Sequence, residues 1–236
     1  MSNDDIERKN ETWNHKVLRE HIRQHSEDPR LALHLLSSVG RVTEIFSFHL
    51  YTARDAFNNI VNTENAHDIE NLKLIFGGSS NQEEFELARL ISEAHLAACV
   101  HTSRNMFDLF SQLTNALIVF PRIPIEACNL HRLRNKLEPS ELKELLTKLT
   151  DSSCFRYIDA LNNTSKHRLI VNHALTVSNQ EEKVGATVGE FEYGGKLFPK
   201  RWVRDVLSDA LEVKNSIIGC GNALNQTYIQ KVALLD

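Results

Sequence analysis

The stretch "CFRYIDALNNTSKHRLIVNHALTVS", residues 154–178, decides how this chain folds. It begins with apolar residues at helical spacing and ends rich in β-branched residues, which favour strands. Between them stands "NNTSKHR", residues 162–168. If the helix persists through it, Arg156, Asp159, Asn163 and His167 share one face, while Cys154, Ile158, Leu161 and Ser165 line the other. If it stops at "NNT", whose side chains compete for helical hydrogen bonds, Lys166 to Arg168 lead into a strand. Either way, Lys166, His167 and Arg168 set three potentially cationic groups beside an apolar element, suited to a phosphate or carboxylate. The alternative is a wet polar joint that only satisfies loop backbone groups.

Upstream of this junction the period is helical almost throughout. Glycine and proline number nine and five and are clustered, which leaves long uninterrupted stretches. Residues 4–25 read as a polar, partly exposed helix, and residues 29–61 as a long apolar-periodic segment. "GGSSNQEE" is the clearest loop, with Ser80 or Asn81 placed to cap a helix running from about Gln82 to Val119. "EPSELKELLTKL" opens with a proline at an early helical position, and "DSSC" offers a capping aspartate or serine.

Downstream, "KVGATVGEFEY" alternates as a strand would, and "YGGK" fits a two-residue hairpin turn. Val184, Ala186 and Val188 share one parity, Phe191 and Tyr193 the other, so a bulge is expected near Gly189. From "PKRWVRDVL" to about Tyr228 the helical period returns. The expectation is a single domain over 1–236 that is mainly α. It is a helical bundle with N-terminal helices over 1–66 and a small antiparallel β-sheet or hairpin, about 168–198, inserted before the C-terminal helix.

Composition narrows function. A formal net charge of -4 gives no global positive field toward nucleic acid or anionic lipid, although local basic patches remain compatible with it. The acidic, polar amino terminus is unlike a signal peptide, and no apolar run approaches the ~20 residues of a membrane span. A cytoplasmic protein without membrane attachment is expected. Cys99, Cys128, Cys154 and Cys220 show neither zinc spacing nor a disulfide framework, so free, mostly buried thiols are expected. No Walker loop occurs, no H-E-x-x-H or Glu-x-x-His pair supports a bundle metal site, and neither a metal nor another cofactor is expected.

The sharpest pattern lies in "EAHLAACVHTSRNMFDLFSQLTNALIVF", residues 93–120. At 100° per residue, His101, Arg104, Asn105, Asp108, Gln112 and Asn115 fall within an arc of about 100°. Leu96, Cys99, Val100, Met106, Phe107, Phe110, Leu113 and Leu117 occupy the other side. A solvated face is usually rich in Lys and Glu, yet this arc has neither, and no lysine occurs from Leu74 to Asn135. Arg104 and Asp108 stand at ion-pair spacing. The arc reads as a functional cleft or dimer seam, as a solvated face, or as an internal polar network.

The combination of "HTSRNMFDLFSQLTNALI", "CFRYIDALNNTSKHRLIV", "GEFEYGGKLFPKRWV" and a closing helix resembles HEPN-like domains of uncharacterised bacterial proteins, over roughly residues 82–230. That resemblance implies a helical bundle that dimerises. It also implies a metal-independent ribonuclease, or an inactive relative, in a toxin–antitoxin or other defence system. The family signature is Arg followed by four to six residues and His, usually with a polar residue after the Arg. Arg168 and His173 match with "LIVN" between them, and Arg19 and His25 match with "EHIRQ". Arg168 is followed by Leu169, however, and residues five apart point about 140° away from each other in a helix or to opposite faces of a strand.

Two functions follow as expectations. In the first, the protein cleaves or binds RNA. His167 or His173 transfers the proton at the 2'-hydroxyl or leaving oxygen, and Arg168 stabilises phosphate charge. His101, Arg104, Asp108, Asn163 and Lys166 complete or orient the cluster. In the second, the same residues form a structural network or dimer seam in a non-catalytic module that binds a protein partner or a second copy. A nuclease should set His and Arg in one open cleft; a scaffold should bury them paired.

Overall fold

The structure is a computed structural model that describes residues 12–234. The expected helix start at residues 4–11 lies outside the described residues. Eight α-helices occur among those described: α1 His15–His25, α2 Pro29–Asp55, α3 Ile69–Phe76, α4 Gln82–Ile118, α5 Leu130–Lys136, α6 Glu141–Asp151, α7 Ser153–His167 and α8 Val203–Ala233. Strands β1 His173–Ser178, β2 Lys183–Val188, β3 Phe191–Tyr193, β4 Lys196–Phe198 and β5 Arg201–Trp202 fall between α7 and α8. The chain is therefore mainly helical, with small antiparallel sheets inserted before the C-terminal helix. It divides into two compact units, unit one from residues 12–43, 105–152 and 212–234, and unit two from 44–104 and 153–211.

Unit one is built on buried leucines and aromatics, including Leu18, Ile22, Leu36, Phe107, Phe110, Leu113, Leu133 and Leu142. Asn14 caps α1 by accepting from the Val17 N–H. The Trp13 indole N–H donates to Asn225 at 3.0 Å, and the ring lies so close to α8 that a Cβ on Gly221 would come within 2.2 Å of it. Only glycine allows that approach. Asn115, the last residue of the polar arc, clamps the following loop, donating to the Ile123 carbonyl at 2.8 Å and accepting from its N–H at 2.9 Å. Proline does not enter α6 as expected: Ser140 is the cap, accepting from the Lys143 N–H, and Pro139 lies outside the helix.

In unit two the helical alternative for "NNTSKH" is realised, because α7 runs to His167. Its polar side chains do not compete with the helix. Asn163 donates to the Asp159 carbonyl one turn back at 2.8 Å, while Asn162 and Thr164 are buried. β1 pairs with β2 and β2 with β5, both antiparallel, while β3 and β4 form a separate hairpin. The hairpin turn is the expected "YGGK", with Gly194 and Gly195 both at positive φ. Two details differ from expectation. Gly189 marks a break between two sheets, its N–H donating to the Asn172 carbonyl at 2.7 Å, instead of a bulge within one strand. Arg201 and Trp202 are strand residues, held by pairing with Val188 and Thr187, so α8 begins only at Val203.

The hairpin is anchored by aromatics. Phe191 and Phe198 stack at 5.0 Å, and the Tyr157 ring of α7 packs edge-on against both. Arg201 lies over Tyr157 at 4.6 Å and donates to Asp209 at 2.6 Å. These contacts hold the first half of α7 against the hairpin.

Candidate functional site

Within unit two, the polar arc of α4 meets α7. Arg104 Nε donates to Asp159 Oδ1 at 2.6 Å, and Asn163 donates to the other oxygen of the same carboxylate at 3.2 Å. The Arg104 guanidinium also lies over the Phe155 ring at 5.5 Å, and its side chain is only 16% exposed. His101 Nδ1 donates to Asn162 Oδ1 over a long 3.4 Å. The two helices thus pack with polar faces together, so His101, Arg104 and Asn163 form one cluster with Asp159 and Asn162. This carboxylate compensates the charge of Arg104, so a phosphate arriving there would compete with an ion pair already formed.

Asp108 belongs to unit one. Burial, helped by the charge of Asp108, pushes the Cys128 thiol up to about 11. The thiols of Cys99 and Cys220 are pushed by burial to about 12, and Cys154 is the least buried of the four cysteines. None of the three raised thiols is an activated nucleophile at neutral pH.

His173 and Arg168 are separated by environment. His173 opens β1 with only 4% of its surface exposed, and its Nε2 lies 3.1 Å from the Ser92 hydroxyl. Burial, helped by the charge of Arg89, lowers its pKa to about 4, so at neutral pH it is an uncharged imidazole in the core. Arg168 is exposed just beyond the last turn of α7, its guanidinium 5.3 Å from the Tyr193 ring centre. Lys166 and His167 are exposed beside it. The numerical Arg168–His173 match therefore does not present both groups to one open cleft. Arg19 and His25 lie on α1, about 120° apart around the axis, and Arg19 donates to Ser37 at 3.1 Å.

Comparison with known proteins finds no matching family model, no matching curated protein and no matching solved structure. Function must be argued from this chain alone. Among the described residues no helix is long and apolar enough to cross a membrane, and no group of three or more His, Cys, Asp or Glu could hold a metal ion.

Sequence reasoning missed three features. Asp159 was visible on a shared helix face, but its partner lies 55 positions away. Ser92 gave no signal. The third feature was legible: the arc holding His101 continues backward as Leu87, Leu90, Ala94 and Ala97 at steps of three, four and three. All four are exposed, Leu87 at 59% and Leu90 at 58%. Phe48 of α2 lies 5.5 Å ring to ring from His95 of α4, and His49 and His95 share a 3.1 Å Nδ1 contact. These contacts set exposed Ile45, Phe48 and Tyr51 beside the α4 stripe.

Proposed function

We propose that this protein is a non-catalytic interaction module that pairs with a second copy of itself through the open face of α2 and α4 in unit two. One observation carries the reading: a single line along α4 is apolar and exposed from Leu87 to Ala97, then polar and hydrogen-bonded to α7 at His101 and Arg104. Alternating steps of three and four are the spacing of a helix–helix seam, and the small side chains of Ala94 and Ala97 permit close approach. A large exposed apolar patch on a water-facing helix favours association. A self-complementary patch closes into a two-fold dimer in which each stripe meets its copy. The enclosed His173 and the charge-compensated Arg104 support the non-catalytic part of the reading, the first because it is buried and the second because a phosphate would compete with its ion pair. Light scattering on the full chain tests it. A mass near two chains supports the module; a mass of one chain, 26.9 kDa, at tens of micromolar contradicts it.

A second reading, RNA binding, has its own observation. Lys166, His167 and Arg168 are exposed together, Arg168 lies over Tyr193, and Lys196 pairs opposite Tyr193 across the hairpin. Cations around an aromatic ring suit a phosphate and a stacked base. Fluorescence anisotropy with a single-stranded RNA would show binding that weakens steeply with salt and at least tenfold in the Lys166→Ala, Arg168→Ala variant. Binding that ignores both changes contradicts it.

A further inference from the structure

Unit two also holds a cavity of about 210 Å³ that neither reading uses. Its body is apolar, walled by Phe57, Val61, Ala186 and Leu207, with the Trp202 indole as a flat side. That indole is fixed, because its N–H donates to Glu181 at 3.0 Å and its backbone pairs with Thr187. Gly185 keeps the space beside the ring open: a Cβ there would already touch Trp202 at 3.8 Å, and a larger side chain would fill the cavity. Ser92 also borders it, but its hydroxyl is covered and spent on His173 at 3.1 Å.

The rim carries two arginines of different status. Arg54 is neutralised by Asp55 through bonds of 2.7 and 2.9 Å. Arg204 is exposed over the Trp202 ring at 5.1 Å and, among the described residues, has no carboxylate at salt-bridge distance. Glu181 feels its charge, but that carboxylate is occupied by the Trp202 N–H and by Lys183. One uncompensated guanidinium beside an apolar slot calls for one planar anion on a flat apolar body. The volume falls below the ~300–1,000 Å³ of drug-sized sites, which limits the body to about one ring.

We propose that this cavity binds a small aromatic monocarboxylate, with its ring against Trp202 and its carboxylate on Arg204. The test titrates the full chain with 4-hydroxybenzoate, following tryptophan fluorescence and heat of binding. A saturable quench is expected, lost in Trp202→Phe, which retains Trp13. Affinity should fall at least tenfold in Arg204→Gln, an exposed substitution that leaves the circular dichroism unchanged. It should fall as much for 4-hydroxybenzyl alcohol, which lacks the charge, and binding should vanish in Gly185→Val. No saturable binding up to about 10 mM, a regime weaker than any specific small-molecule site of interest here, overturns the proposal. Equal affinity of Arg204→Gln, or of the neutral alcohol, overturns it as well.

Discussion

Two lengths of one line on α4 are treated oppositely by the fold. From His101 to Arg104 the line is polar and hydrogen-bonded to α7, with Arg104 largely covered and joined to Asp159 at 2.6 Å. From Leu87 to Ala97 it is apolar and exposed. Burial in a folded chain normally sorts residues the other way, because covering a large apolar side chain is worth about 1.5–3 kcal/mol and covering an unpaired charge costs more. The covered length is stable because its charges are paired and hydrogen-bonded. The exposed length remains unsatisfied until something covers it. Polarity alone therefore does not mark a functional surface; unsatisfied chemistry does.

The polar groups of unit two can be perturbed in three ways, in decreasing order of effect. His173 is neutral in the fold down to about pH 4, against 6.5 when unfolded. Above pH 6.5 neither state carries the proton. Between these values only the unfolded chain takes it up, so stability falls as pH falls, by up to about 3 kcal/mol. Urea midpoints measured from pH 7 to 4.5 should show that slope, and His173→Gln should flatten it. Asp159→Ala removes the carboxylate bonded to Arg104 in a largely covered site and should cost about 2 kcal/mol. The double variant Arg104→Met, Asp159→Leu should recover most of that loss, since both charges of this pair are gone. Lys166→Ala with Arg168→Ala touches only exposed groups and should shift stability by less than ~0.5 kcal/mol while abolishing most RNA affinity under the second reading. A loss of several kcal/mol there would mean that the basic corner belongs to the packed network after all.

The ranges of the long helices and the "YGGK" hairpin were legible because period and turn chemistry are local. The covered state of His173 was half legible: it shares strand parity with Val171 and Leu175, both buried, so alternation already pointed it inward. Arg201 and Trp202 read as helix because their strand character comes only from pairing with β2. That Arg104 reaches Asp159 depends on which helix lies across from it, and spacing within one helix carries no information about that.

The open length of α4 provides the most direct test. Sedimentation equilibrium of the unmodified chain and of the Leu87→Glu, Leu90→Glu variant should give a dimer and a monomer respectively. Helicity and thermal midpoint at low protein concentration should be alike, because neither leucine packs in the core. An unmodified chain that stays monomeric, or a charged variant that dimerises as well as the original, would contradict the proposal that this face exists to be covered by a second copy.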